Sequence, residues 1–414
     1  MRANLAPCSL VFFISLIILG GVTVAWGPSK KFDPGGDADQ YMAIGQSLKS
    51  GNGFKNLVGP WPNLSDYSRM PGWPAIISIA LRLAPGATPE AASRFSNVVC
   101  LSLAGAFFCL LCRFLGVGTT LSEAAGLSVS LSPSLVYLSV EGLSEIIFVM
   151  ILAMGVTALI ASRRLLWLAA IILGTATLVR TNFILVPPVF LALALLMRAP
   201  RAELLTRVGL RCAILACALA TAPALLWTIR NAEITGRFPL LSSTEGESLY
   251  GANNDVVANN LEYWGYWVMP DYIPGETPKL KLAHQLGCDL ALNDYYHRKG
   301  VAWIRNNVGA LPRLEVGKFV RAFVPIPWKP RLESYVVFFC RFLLYVLWVA
   351  LLPLWFPKMN RTYLLFCLAM AVIHLITTTL YYGLYRFTHC YIEIFLVPCI
   401  ALGLQQWGTK RAGI

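Results

Sequence analysis

The residues best placed to do chemistry stand at the ends of apolar runs, beginning with Asp37 in Asp37-Ala38-Asp39-Gln40-Tyr41, just after the first run. A carboxylate kept at the edge of a bilayer can accept the proton of a hydroxyl. Carboxylates are scarce, 21 Asp and Glu in 414 residues, so each one at a run end carries weight. Further along the same loop, Tyr67-Ser68-Arg69-Met70-Pro71-Gly72-Trp73-Pro74 sets a single guanidinium in a proline-bounded turn. Arg69 there either snorkels to lipid headgroups or clamps a phosphate. Glu141 and Glu145 are four residues apart, a spacing that shares one helix face. At a span end they read either as functional groups or as partners of Arg180 or a neighbouring helix. Arg180, Arg230 and Arg386 also stand at run ends. His374 lies inside a run and is expected to hydrogen-bond a neighbouring helix.

The elements that must position these groups are membrane helices. Hydrophobic residues make up 57% of the chain, charged residues 13%, and the mean hydropathy is +0.62, more apolar surface than a soluble fold of this size covers. Runs of roughly 20 apolar residues, enough to cross a bilayer, recur near Cys8–Trp26, Ala91–Leu115, Thr119–Val140, Gly142–Ala161, Leu165–Val179, Phe183–Met197, Cys212–Ile229, Tyr335–Phe356, Thr362–Tyr382 and Thr388–Trp407. The expectation is an all-α polytopic membrane protein with about ten spans. Ser and Gly in Thr119–Val140 suit helix–helix contact. The first run is longer than a signal-peptide core and reads as an uncleaved span.

The net charge of +13 follows the topology. With the N-terminus inside, the short inner segments hold Arg2, Arg113, Arg163, Arg164, Arg198, Arg201, Arg207, Arg211, Lys358, Arg361, Lys410 and Arg411. That is the positive-inside pattern of a plasma (inner) membrane protein, and it replaces nucleic-acid binding as the explanation of the charge. Most of the eleven cysteines fall within apolar runs, where they pack as small apolar residues. Cys109 and Cys112, on one such run, do not resemble a metal site.

Polarity divides the chain into an N-terminal membrane module (residues 1–230, with a first outer loop over 27–90), a large outer loop (231–333) and C-terminal spans (334–414). In the first loop, Gly35-Gly36-Asp37 followed by Gln40 resembles a capping box. Tyr41, Ile44 and Leu48 then fall on one face, and Gly51 supplies a stop. An interfacial helix is predicted, with Asp37 as its cap or as a catalytic base. Asp39 points elsewhere, as a solvated charge or secondary ligand. Asp294–Leu314 has helical spacing and is expected on the membrane surface. Inner loops are short, and neither a P-loop nor GxGxxG occurs, so the chemistry is expected on the outer face.

The motif order resembles a known family. It runs D-x-x-x-Y (Asp37…Tyr41), G-x-G-F (Gly51…Phe54), R-x-P-G-x-P (Arg69…Pro74), S-P-S…L-S-E (Ser132…Glu145), L-V-R-T (Leu178–Thr181), W-x-x-R-N (Trp227–Asn231) and G-A-N-N (Gly251–Asn254). This is similar to bacterial GT-C glycosyltransferases, in the group of protein O-mannosyltransferases and the aminoarabinose transferase of lipid A. The resemblance implies a helical bundle, interfacial helices in the first outer loop, and a sugar donor carried on polyprenyl phosphate, with inversion at the anomeric carbon. It implies that Asp37 activates the acceptor and that Arg69 meets the donor phosphate, with Tyr41, Arg180 and Arg386 as further donor-site residues. Asn253 and Asn254 would belong to an acceptor or sugar loop, and Asp39, Glu141 and Glu145 are secondary acidic candidates. Arg69-Met70-Pro71 stands where the aminoarabinose transferase has Lys-Pro-Pro, so the sugar does not carry over.

The partners expected are a polyprenyl-phosphate-linked sugar, the bilayer and an envelope acceptor. No cofactor is required; a divalent metal between Asp37 and Glu145 is an option that the chemistry does not demand, since phosphate leaves without prior protonation. Two rivals remain at this level. An O-antigen polymerase or ligase would depend on Arg and His, and a secondary transporter would show internal symmetry and paired broken helices, which the sequence lacks.

Overall fold

Backbone polar groups have no water to bond inside a bilayer, so apolar runs must close their hydrogen bonds internally as helices. The computed structural model describes residues 5–29, 36–56, 66–197, 208–238, 241–324 and 332–411. Arg2, Gly35, Arg198, Arg201 and Arg207 lie outside the described residues. The helices are α1 (Ala6–Trp26), α2 (Asp37–Lys49), α3 (Gly72–Leu83), α4 (Pro89–Phe114), α5 (Thr119–Ser130), α6 (Pro133–Val140), α7 (Glu145–Ala161), α8 (Leu166–Thr175), α9 (Val186–Leu196) and α10 (Leu210–Thr235). After them come α11 (Glu245–Ala252), α12 (Asp255–Asn259), α13 (Lys279–Leu286), α14 (Asp289–Asn306), α15 (Leu311–Phe323), α16 (Leu332–Ala350), α17 (Leu352–Trp355), α18 (Arg361–Leu380), α19 (Tyr385–Tyr391) and α20 (Leu396–Arg411).

The chain is a multi-pass membrane protein, and the long helices among the described residues account for only part of the ten expected spans. Among the described residues, five helical segments are long and apolar enough to cross: Ala6–Ser29, Pro89–Phe114, Leu210–Thr235, Arg361–Leu380 and Tyr385–Arg411. A sixth forms if Ser334–Ala350 and Leu352–Lys358, bent by 53°, count as one. Of the other runs, Gly142–Ala161 and Phe183–Met197 give shorter unbroken apolar segments, Glu145–Ala161 and Thr181–Leu196, and two are interrupted for local reasons. Pro133 cannot donate to the preceding turn, so Thr119–Val140 splits into α5 and α6. The run Leu165–Val179 gives ten residues of α8 and then a 3-10 turn, Ala176–Leu178.

Small residues allow close crossings, as expected of Ser and Gly in α5. A Cβ on Gly126 would come within 2.5 Å of the Gly105 carbonyl oxygen on α4, and Ser15 on α1 meets Ser130 hydroxyl to hydroxyl at 2.7 Å. The buried core gathers around α4 and α7, where Phe108, Phe148 and Phe183 are fully covered. These two helices run parallel: Asn97 near the start of α4 donates to Ser139 and Leu143 just before α7, and Thr157 bonds Phe107 further along. Gln405 near the end of α20 bonds Gly116 and Gly118 just past α4. The basic ends of α4, α7 and α20 (Arg113, Arg163, Arg164, Lys410) therefore share one end of the bundle, and Glu145 lies at the other.

The large loop folds into its own small core of Tyr250, Val257, Leu292, Tyr296 and Leu314. Asp294–Leu314 is not one surface helix: α14 and α15 break between Asn307 and Ala310, and Tyr296 of α14 is fully buried in this core. The core docks on the top of α18 through Lys318, which donates to Asn253 Oδ1 (3.0 Å) and the Thr379 carbonyl (2.8 Å). Gly383 follows, so close to Lys318 that a Cβ there would lie 1.8 Å from its carbonyl oxygen.

Candidate functional site

Five charged side chains meet at the end of the bundle opposite the basic rim, and each stands at a helix start or break. Asp37 is the first helical residue of α2, after an extended Gly36. It caps nothing, and the expected capping box is absent: the Gln40 Oε1 accepts from Arg69 Nε at 2.9 Å instead. Asp37 Oδ1 lies 2.9 Å from Arg69 Nη2, and its Oδ2 lies 3.7 Å from Arg386 Nη2. The Arg69 guanidinium also sits 5.6 Å from the centre of the Tyr41 ring.

The Arg69 turn is held by a residue that the sequence reading passed over. Asp66 Oδ1 accepts from the Ser68 amide (2.7 Å), the Ser68 hydroxyl (2.9 Å) and the Arg69 amide (3.0 Å), an Asx turn. From the large loop, Ser242 donates to the Ser68 carbonyl at 2.8 Å. Arg230 donates to the Asp66 carbonyl at 2.6 Å and so braces the turn from outside the charged cluster. The signal in the sequence was Asp66-Tyr67-Ser68, a turn-forming triplet directly before Arg69-Met70-Pro71.

Glu145 and Glu141 part company. The helix ends at Glu141, Gly142 takes a left-handed φ of 70°, and α7 starts afresh at Glu145, so the four-residue spacing no longer sets a common face. Glu141 faces Arg94. Glu145, 2% exposed, lies 2.5 Å from Arg180 Nη2 and 3.3 Å from Arg386 Nε. Arg180 sits at an extended break between two 3-10 turns, and Arg386 on the first turn of α19 after the non-helical Tyr381–Leu384. Both guanidiniums stack near Phe387, at 4.8 and 5.0 Å. Tyr41 reaches the same floor, its hydroxyl 3.4 Å from Ser144 Oγ.

The remaining candidates serve elsewhere. Asp39 lies on the first turn of α2 beside Asp37, whose own ion pairs are with Arg69 and Arg386. Asn254 is the N-cap of α12, accepting from Val256 and Val257, and Asn253 bonds Leu249, Leu380 and Lys318. Their amides are thus committed to folding the large loop and docking it on the bundle. His374 bonds the Thr388 hydroxyl at 2.8 Å, as expected of a helix-to-helix contact.

Three arginines against two carboxylates leave one positive charge in excess. Arg69 beside it, with Arg386 and Arg180 adding, overcomes burial and holds the Asp37 carboxyl down at about 2. Asp37 in turn pushes Arg69 further up. Arg180 Nε is a buried donor without a hydrogen-bond acceptor among the described residues. Buried donors are normally paired, so this one is set for an acceptor that arrives. The Asp37 side chain is 40% exposed while Glu145 is covered, which makes Asp37 the carboxylate a substrate can reach. Among the described residues no group of three His, Cys, Asp or Glu is arranged for a metal ion.

No family model matches the sequence, and no curated protein matches it. Two solved structures are similar. One is ArnT from Cupriavidus metallidurans bound to undecaprenyl phosphate, at 14% identity over 98% of this chain and 78% of that one, TM-score 0.45. The other is the archaeal oligosaccharyltransferase AglB from Archaeoglobus fulgidus in complex with an inhibitory peptide and a dolichol-phosphate, at 13% identity over 97% of this chain, TM-score 0.51. This chain spans about half of that longer enzyme, 52%. The likeness is one of fold: the helical bundle of this chain follows that of the archaeal membrane enzyme along nearly its whole length.

Proposed function

We propose that the chain transfers a sugar from a polyprenyl-phosphate donor to a hydroxyl of an envelope acceptor, at the outer face of a plasma (inner) membrane. The observation that carries this reading is the surplus of guanidinium around one reachable carboxylate, Asp37, at the end of an apolar bundle. The fold likeness to an enzyme whose structure holds dolichol-phosphate supports it.

Arg69, Arg180 and Arg386 would meet the donor phosphate, which gains negative charge as its bond to the sugar breaks. The acceptor oxygen attacks the anomeric carbon while its proton passes to Asp37. The carbon–oxygen bond to phosphate breaks, polyprenyl phosphate leaves with the electron pair, and the sugar inverts. A carboxylate held near 2 is a weak base at rest. As the phosphate draws on Arg69 and Arg386, Asp37 loses part of its counter-charge and gains basicity when the acceptor needs it. Glu145 positions Arg180 and Arg386 from below and touches no substrate. A divalent cation at these carboxylates would face three guanidiniums, so chelation is expected to leave transfer unchanged.

Transfer from a lipid-linked sugar, measured for wild type and Asp37→Asn at equal membrane abundance, tests the reading. Near-normal transfer by the variant would remove Asp37 from the chemistry. Reporter fusions test the side: Gly275 should report the exterior and Arg164 the cytosol.

A further inference from the structure

α19 has a second chemical face. One turn after Arg386, His389 borders a half-open cavity of about 370 Å³ lined by α5, α16 and α20. Leu121 in the first turn of α5 and Ser132 beyond its last both line this cavity, so it follows a helix about 18 Å long. The wall is apolar along Ala125, Leu344, Val397 and Leu404, and Ser132, Arg341, His389 and Glu393 supply its polar part.

There Ser132 Oγ is 2.8 Å from His389 Nε2, and His389 Nδ1 is 2.8 Å from Glu393 Oε2. Glu393 is fully buried and already neutralised by Arg341, 2.6 Å away, with the Tyr345 hydroxyl also donating to it. His389 is therefore not needed as a counter-ion. With Nδ1–H directed at Glu393, Nε2 is left to accept the Ser132 proton. Ser132 is also the N-cap of α6, where a serine hydroxyl ordinarily accepts from the first-turn amides. Here it makes no such bond. Its hydroxyl is held by His389 instead, and the first-turn amides of Ser134 and Leu135 are left beside it without intrahelical acceptors. Amides so placed can stabilise an oxyanion.

We propose that Ser132, His389 and Glu393 form a second, nucleophilic site that hydrolyses a long-chain carboxylic ester whose apolar chain lies in the cavity. Ser132 Oγ attacks the ester carbonyl carbon as its proton moves to His389 Nε2. The tetrahedral oxyanion collapses, the carbon–oxygen bond to the alcohol breaks, and the alcohol leaves with that proton. Water then attacks the acyl-serine, gives a proton to Nε2, and displaces Ser132, which recovers it; the free fatty acid departs. Neither Asp37 nor the arginine cluster takes part, so this site stands or falls apart from the glycosyl-transfer reading.

The test uses the full chain in lipid nanodiscs with an alkyl fluorophosphonate, the adduct being mapped by peptide mass, and with a long-chain monoacylglycerol as ester. A covalent adduct on wild-type Ser132 and release of fatty acid are expected. His389→Gln should lower both by at least about 10²-fold at an unchanged unfolding midpoint. Asp37→Asn should label like wild type. Because the adduct is read on the wild-type protein, the result does not hinge on the folding of a variant. Absence of an adduct at Ser132, absence of fatty acid, or labelling that depends on Asp37 would each overturn the proposal.

Discussion

Two arginine–carboxylate groups flank α19 within one turn of each other, and they are built to opposite rules. The cluster around Arg386 holds three arginines and two carboxylates, has a reachable edge at Asp37, and leaves the Arg180 Nε without an acceptor among the described residues. The group around His389 holds one arginine against one fully buried glutamate, with every contact made. Surplus positive charge at an open edge suits an anion that comes and goes. Balanced charge in the interior holds an imidazole in one orientation. The same residue types thus serve binding in one place and orientation in the other, and stoichiometry and exposure decide which.

The largest separation of the two is expected from Asp37→Asn. Removing a general base commonly lowers rate by about 10²–10⁴, and glycosyl transfer should fall by that order while Ser132 labelling and the unfolding midpoint stay unchanged. Loss of stability in place of activity would mean that Asp37 only offsets Arg69.

Glu393→Gln should act the other way round. It strands Arg341, 4% exposed, without its partner, and breaking a buried pair costs about 3–5 kcal/mol. A sharp fall in the unfolding midpoint is expected, and a neutral result would show that Arg341 finds other acceptors. Glu145→Gln should be milder in stability, because Arg386 keeps Asp37, and should raise the donor KM more than it lowers kcat.

Arg69→Ala is expected to raise the donor KM by roughly tenfold or more, with Arg69→Lys in between, because lysine keeps the charge and loses the paired geometry. Unchanged donor kinetics would make Arg69 an interfacial anchor. The smallest effect is on pH. Arg69 is the main cause of the low Asp37 value, so its loss lets the carboxyl rise toward an ordinary 3.8. Wild-type kcat/KM should then hold down to pH 4, whereas the variant should lose roughly two-fifths there through protonated Asp37. Parallel profiles would show that another group controls the acid limb.

Much of the charged cluster could be named from the sequence because its members stand at run ends, where hydropathy changes sharply. Asp37, Tyr41 and the helix Asp37–Lys49 were legible in that way. The limits are equally physical. A capping box was expected from Gly35-Gly36-Asp37…Gln40, but Gln40 and Arg69 meet across 29 residues, and that contact outcompetes the local one. Glu141 and Glu145 shared a face only if the helix continued, and a left-handed Gly142 ended it. Asp66 went unnoticed because its work is done by backbone amides, which every sequence has.

What this sequence determined by itself is the set of properties that add up locally. Apolar runs with no water to satisfy their backbone become helices, basic residues collect at one set of helix ends, and polar, acidic segments collect at the other. What only the tertiary structure decided is which charges meet. Arg386 reaches Asp37 from almost 350 residues away, Arg341 finds Glu393, and Ser132 meets His389 across 257 positions. Such pairings depend on close helix crossings like Gly105 over Gly126 and on breaks such as Pro133 and Gly142. Direction and distance in space are set by packing, and packing is not a sum over neighbours in the chain.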